Sequence, residues 1–312
     1  MSNVARTRQR SSGRRQLATD GESYREYDPV LVGTILGEAA HLLRHLGFAA
    51  EHIVLIGGVV PSLLILDPGG GHPHRGTGDL DLCLSVAIVE GDTGEYERIE
   101  IALKKAGYGP TDESLRWKQT GRQGLQVEFF CPAGEGRPAA RMFRPRADES
   151  PMAKLNFGPK LSAFAIDAGE VIGLDVVIVE REVTLPEDGG RTNFSFRVTG
   201  LVAFLVAKTA ALVGRDKPKD AYDIVWIIEN WDGGPVGAAS AVRASAVLGR
   251  EDVRAALSLL SEKFSRPDEL GPSAYSRFMA EPGAGIDERA RLSRGAVGAV
   301  QEFFQALQDL FG

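Results

Sequence analysis

The stretch Ile53–Leu84, IVLIGGVVPSLLILDPGGGHPHRGTGDLDLCL, decides the reading of this chain. It predicts an apolar strand, a glycine turn at Gly57-Gly58, a short helix, a polar loop and a second apolar strand. Asp79 and Asp81 open that second strand two residues apart, and alternate residues of a strand share a face. Two carboxylates therefore project from one side of a buried sheet. Repulsion and desolvation disfavour both ionised forms there unless a cation lies between them, and carboxylate oxygens suit Mg²⁺ or Mn²⁺.

Outward from that stretch, Asp28–Phe48 is predicted as a helix, with Asp28 as N-cap, Pro29 in the first turn and Gly47 as its stop. Glu95–Ala106 predicts a second helix, ended by Gly107. Leu115–Gln119 and Leu125–Phe130 read as strands joined by a turn at Thr120–Gly124. Glu128 lies inside the second of them, an acid between Val127 and Phe129 that is costly to bury without a partner. Residues 132–200 read as irregular and then β-rich. Ile172–Val179 is the most apolar strand there, with Asp175 inside it, and Ser195–Val198 is another. From Thr199 the pattern is helical, with helices at Gly200–Val213, Pro218–Asn230, Glu251–Phe264 and Asp287–Phe311 and a hinge or linker at Gly233–Gly237.

The chain has 312 residues, 43% hydrophobic and 25% charged, an ordinary globular composition with room for a sizeable core. No apolar run approaches the roughly 18 residues of a membrane helix, and the N-terminus has no apolar signal segment, so a cytoplasmic location away from membranes is expected. Cys83 and Cys131, the only cysteines, lie in apolar runs and read as small core residues rather than a disulfide framework. Residues 1–24 are expected to be a disordered basic tail. Arg6, Arg8, Arg10, Arg14 and Arg15 fall in it, so the rest of the chain is more acidic than the net charge of −6. Such a body does not grip nucleic acid by bulk charge, although local basic patches remain open.

A second constellation follows in the helical part. Lys208 and Arg215 are seven apart on a predicted helix, and Lys219-Asp220-Ala221-Tyr222-Asp223 opens the next one. Asp220 and Asp223 share a helix face, and Lys219 is four residues before Asp223. A purely local reading has Asp216 as helix cap, Pro218 in the first turn and the acids favouring the helix N-terminus.

Together, Ile56-Gly57-Gly58, Asp79-Leu80-Asp81-Leu82 and the Lys208 to Asp223 block resemble the DNA polymerase beta type nucleotidyltransferases. Arg75 and Thr77 before the first Asp match the Arg-x-Thr-x-Asp-x-Asp form of the AbiEii/AbiGii toxin branch. The spacer Val59–Gly78 is longer than usual for the family, the excess falling in the loop Asp67–His74. The resemblance implies an α+β fold: a mixed nucleotidyltransferase sheet with flanking helices over 25–200, followed by a helical C-terminal region over 201–312. It implies that Asp79, Asp81 and Glu128 bind metal, with Asp175 as rival third carboxylate and Asp more usual than Glu at the third position. Gly57, Gly58 and Thr77 would lie at the nucleotide, the glycines letting the backbone and a helix start approach a phosphate. Lys208 would reach the triphosphate, Arg215 would be a second phosphate contact, and Asp220 and Asp223 would orient Lys208 or position the acceptor. His72 and His74 read as polar loop residues, though a lid over the nucleotide would also place them there.

The implied activity is Mg²⁺-dependent transfer of a nucleotidyl group from an NTP to a hydroxyl. The leading acceptor is RNA, tRNA above all, with the protein acting as the toxin of a toxin–antitoxin or phage-defence pair alongside a cognate antitoxin. A small molecule of the aminoglycoside kind or a protein is the alternative acceptor. A degenerate, non-catalytic nucleotidyltransferase fold serving as a binding partner is the competing class.

Overall fold

The computed structural model describes residues 23–309, apart from 70, 86–92, 113–114, 121–124, 136 and 144–160. Residues 1–22 of the expected tail and most of the Thr120–Gly124 turn lie outside the described residues; Ser23 and Tyr24, counted with the tail, instead cap and open a 3₁₀ turn, Tyr24–Glu26. Among the described residues the strands are β1 (Ile53–Ile56), β2 (Asp79–Leu84), β3 (Tyr108–Pro110), β4 (Arg116–Gln119), β5 (Gln126–Pro132), β6 (Met142–Phe143), β7 (Ala163–Ile166), β8 (Val176–Thr184) and β9 (Arg191–Thr199). They form one mixed sheet in the order β3-β4-β5-β2-β1-β9-β8, with β7 beside β5 and β6 beside β7. β2 and β5 run parallel, while β1 and β2 run antiparallel with Ile56 opposite Asp81.

The alternation in β2 decides which way the sheet faces. Leu80, Leu82 and Leu84 point to one side together with Val127, Phe129 and Trp117 of the neighbouring strands, and all are fully buried. Helix α1 (Leu31–His45) lies on that side: Gln119 Nε2 donates to Glu38 Oε2 at 2.9 Å from the β4 end. The short α2 (Val60–Leu64) follows β1, and α3 (Thr93–Lys105) joins β2 to β3. His41 of α1 contacts the Ala106 carbonyl just beyond α3 at 3.2 Å. Asp79, Asp81, Gln126, Glu128, Arg116 and Lys118 occupy the other face.

The helices α4 (Gly169–Leu174), α5 (Leu201–Gly214), α6 (Lys219–Asn230), α7 (Gly234–Ala244), α8 (Glu251–Lys263), α9 (Leu270–Met279) and α10 (Ile286–Asp309) complete the described elements. Among the described residues no helix is long and apolar enough to cross a membrane. The expected α+β architecture with a helical C-terminal region is what the chain adopts. Cys83 and Cys131 are free and buried, as core residues.

Several boundaries differ from expectation for physical reasons. The regular α1 helix starts at Leu31, and Asp28 closes the turn that leads into it, its carboxylate accepting from Val30 N at 2.9 Å as an N-cap does. Gly47 opens a 3₁₀ segment, Gly47–His52. Ile172–Val179 is not one strand: its first part belongs to α4, and β8 begins at Val176. Gly233–Gly237 is no linker: Gly233 is the N-cap of α7 and 234–237 form its first turn, with Gly233 and Gly234 at φ 79° and 64°, a left-handed pair that side chains disfavour. Asp216 caps no helix and instead pairs with Arg277.

Asp175 ends α4, outside the strand that was to aim it at the metal site. Its Oδ2 accepts from Ala203 N at 2.9 Å, satisfying a backbone donor in the first turn of α5. Asp175→Ala is expected to lower stability by about 1 kcal/mol, the usual worth of such a cap. Urea denaturation measures it, and an unchanged midpoint would deny the carboxylate a capping role.

Candidate active site

The carboxylate cluster is built by register. Asp79 and Asp81 are i and i+2 on β2, and Glu128 is the direct neighbour of Asp81 on β5. Burial raises the Asp81 pKa well above the usual carboxylate range, and the negative charges of Asp79 and Glu128 raise it further. Thr77 Oγ1 donates to Asp79 Oδ1 in a short hydrogen bond. Both Glu128 side-chain hydrogen bonds fall on Oε1, from Arg116 Nε at 2.6 Å and Gln126 Nε2 at 2.9 Å. Among the described residues no three His, Cys, Asp or Glu side chains converge closely enough to hold a metal by themselves. Two crowded carboxylates beside a third nonetheless suit Mg²⁺, which is commonly held by one or two carboxylates with substrate phosphates and water completing its shell.

Both glycines of the turn are required by protein atoms. Gly57 has φ 74°, and a Cβ there would overlap the Asp81 carboxylate. A Cβ on Gly58 would press on Lys219 Nζ and on Thr77 Cβ, each at 2.9 Å. The resemblance gives phosphate approach as the reason for this pair; the Cβ direction of each glycine is in addition filled by Asp81, Thr77 and Lys219. The helix start beyond it is a 3₁₀ turn, Gly57–Val59, running into the brief α2.

The second constellation folds into one buried ionic network. Lys208 Nζ of α5 donates to Asp220 Oδ1 and lies equally close, 2.7 Å, to Asp223 Oδ2. Lys219 Nζ donates to Asp223 Oδ1, also at 2.7 Å. Arg215 grips Asp220 with a fork, Nε to Oδ2 at 2.8 Å and Nη2 to Oδ1 at 3.0 Å. Asp220 and Asp223 have no exposed surface. Burial alone would raise both aspartate pKa values, but Lys208 and Lys219 hold Asp223 well below the carboxylate range, and Lys208 and Arg215 lower Asp220. At Lys208 burial is outweighed by the two aspartates, so its pKa is raised; at Lys219 burial prevails and the pKa is lowered. Three cations thus surround two carboxylates. The surplus is felt at the first cluster, since Lys208 draws the Asp81 pKa down while Asp81 and Asp79 add to the raised pKa of Arg215.

Sequence reasoning missed His74. It is no surface loop residue. Its ring stacks on Tyr222 with centroids 5.2 Å apart, meets Trp226 edge-on at 4.9 Å, and is completely buried. Gly76 N donates to Nδ1 at 3.0 Å, so Nδ1 is the acceptor and Nε2 carries the proton, which it gives to Asp223 Oδ1 at 2.9 Å. Burial lowers the His74 pKa to about 4 despite Asp223. The long spacer is therefore strapped to α6. Arg75 N donates to Tyr222 Oη at 3.0 Å, and Trp226 Nε1 donates to the carbonyl of His72, whose side chain is exposed, at 3.1 Å. The only advance signal was on α6, where Tyr222 and Trp226 flank Asp223 at helical spacing.

The family model described as "Nucleotidyl transferase AbiEii toxin, Type IV TA system" matches residues 41–306. No curated protein matches the chain.

The neutral His74 gives stability a defined pH dependence. In the fold it takes a proton only near pH 4, whereas the unfolded chain does so near 6.5. Between those values the unfolded state binds more protons, so this contribution is intact above pH 6.5 and is lost as pH falls through the window, by up to about 3 kcal/mol. His74→Gln is expected to flatten the fall in urea stability between pH 6.5 and 4. Equal slopes in the two proteins would rule the assignment out.

Proposed function

We infer the function from one premise: the chain belongs to the AbiEii nucleotidyl transferase family, toxins of type IV toxin–antitoxin systems. It is a nucleotidyltransferase, with an NTP as donor and a cognate antitoxin implied by the family. We propose that it transfers a nucleotidyl group to a hydroxyl at the end of an RNA, tRNA being the leading acceptor, and that the transfer depends on Mg²⁺. The observation that carries this is the position of Asp81, which has Asp79 and Glu128 beside it on one face and the positive field of Lys208 upon it.

In this reading Asp79 and Asp81 hold the divalent cation, with Thr77 fixing the Asp79 carboxylate and Gly57 leaving room for that of Asp81. When bound, the cation supplies Lewis-acid stabilisation of phosphoryl oxygens. Lys208 and Arg215 present positive charge to the triphosphate and offset the charge that develops on departing pyrophosphate. Asp220 and Asp223 orient Lys208 rather than the acceptor, because both bond it directly. Glu128 lies on the acceptor side and takes the hydroxyl proton as the bond to the α-phosphate forms. Its grip by Arg116 and Gln126 sets its direction. Residues 25–200 are proposed as the nucleotidyltransferase domain and 201–312 as the helical domain that completes its site with Lys208, Arg215, Asp220 and Asp223.

Incubation with Mg²⁺ and each α-³²P-labelled NTP, with total RNA, with cell protein and with neither, tests the reading. Label is expected on an RNA species, and Asp81→Ala is expected to lower its transfer at least ~10²-fold, the scale on which single electrostatic groups act in catalysis. Label on protein would overturn the RNA acceptor, and transfer that survives Asp81→Ala would overturn the site.

A further inference from the structure

The face that carries the three carboxylates continues past Glu128 onto β4. Register runs across it in two rows. One is Arg116, Glu128, Asp81, Ile56; the other is Lys118, Gln126, Asp79. Arg116 and Lys118 stand two residues apart, about 7 Å along the strand, and about 10 Å from Asp81 and Asp79 across two strand spacings. The buried Lys208 network lies on the opposite side of the carboxylates, against the turn that follows β1, where Lys219 meets Gly58. Cations therefore flank the carboxylates on both sides: buried Lys208 and Lys219 with half-exposed Arg215 at the β1 side, and Arg116 and Lys118 at the β4 side.

The two β4 cations differ in surroundings. Arg116 is spent in part on Glu128, and its side chain is 38% exposed. Lys118 is exposed, and its register neighbours are uncharged, Gly109 on β3 and Gln126 on β5. A lysine held by a strand at that distance, on an otherwise acidic protein, offers a fixed positive charge to whatever approaches Glu128. A polycationic drug would meet repulsion there, whereas an RNA end would place a backbone phosphate against it.

We propose that Arg116 and Lys118 form the acceptor subsite, with Lys118 taking a backbone phosphate of the RNA adjoining the reacting hydroxyl and Arg116 positioning Glu128 beside it. This rests on the nucleotidyltransfer reading above. It assigns the acceptor's polarity to two residues on β4, separate from those that meet the donor.

The test is fluorescence anisotropy of 5′-labelled deacylated total tRNA between 50 and 200 mM NaCl, without Mg²⁺ or NTP, so that it does not depend on transfer. Lys118→Gln is expected to weaken binding about 3- to 10-fold and to reduce the slope of log affinity against log salt by about 1, the signature of one lost phosphate contact. Lys105→Gln, at the end of α3 on the other layer, should bind as the parent does. Equilibrium binding of each radiolabelled NTP with Mn²⁺ should be unchanged in Lys118→Gln, and its thermal melt should match the parent. The proposal is overturned if Lys118→Gln keeps parental affinity and slope, if its NTP binding falls in step with tRNA binding, or if the parent binds kanamycin and not tRNA. Loss of label transfer with Lys118-dependent tRNA binding intact would count against the catalytic reading and for this subsite.

Discussion

One carboxylate organises this molecule. Asp223 is fully buried and holds Lys208 from α5, Lys219 from its own helix and His74 from the loop before β2. None of these groups is stable at that depth alone, for desolvation works against every charge, and deleting one partner of a buried pair costs about 3–5 kcal/mol. The three segments are thereby fixed to one another, and with them everything they carry. Thr77 and Asp79 follow His74 within five residues, Gly58 rests on Lys219, and Arg215 closes on Asp220 one turn from Asp223. A local change at Asp223 is thus felt at the sheet carboxylates even though β2 supplies none of its partners.

The same network explains why the polar spacer between Gly58 and Asp79 can be long without being loose. A loop of that length normally costs ordering entropy and moves. Here its backbone is hydrogen-bonded to Tyr222 and Trp226, and its one buried histidine is tied to Asp223, so His72, His74 and Arg75 all lie against one face of α6. Such a strap delivers the first carboxylate to the strand in a fixed direction. A lid would do the opposite, for it must open between turnovers.

What could be read in the sequence was whatever a short period or a special residue declares. Alternation in Asp79–Leu84 gave the strand and its two faces, and the spacing of Lys219, Asp220 and Asp223 gave a common helix surface. Residues 169–174 were not legible because the apolar run Val171–Val179 lacks a decisive period, and burial of such a run suits helix and strand alike. The α7 helix was hidden because Gly233, Gly234 and Pro235 read as a break, when they are its start. Similarly, Gly271 and Pro272 masked α9. His74 could not be recognised locally, since its burial is made by aromatic rings from α6, about 150 residues away in the chain. The need for Gly57 was visible, but its cause, the Asp81 carboxylate, was not.

Charge distribution bears on a further tension, between an acidic chain and the polyanions it would meet, the NTP and the proposed RNA. Net charge acts at long range, and at physiological salt it is screened within about 8 Å. What a phosphate feels at the site is therefore the set of groups within one or two strand spacings. On the β1 side these are Lys208, Lys219 and Arg215, held by two aspartates that leave one positive charge in surplus. On the β4 side they are Arg116 and Lys118. In the first set Lys208 is buried and Arg215 is locked to Asp220 by a fork, an exacting geometry that suits a donor whose triphosphate must be aligned for in-line transfer. The second is open and tolerant of shape. Under the proposed reading, a site with one rigid and one permissive cationic flank would select its donor closely and its acceptor chiefly by charge and by the presence of a hydroxyl beside Glu128.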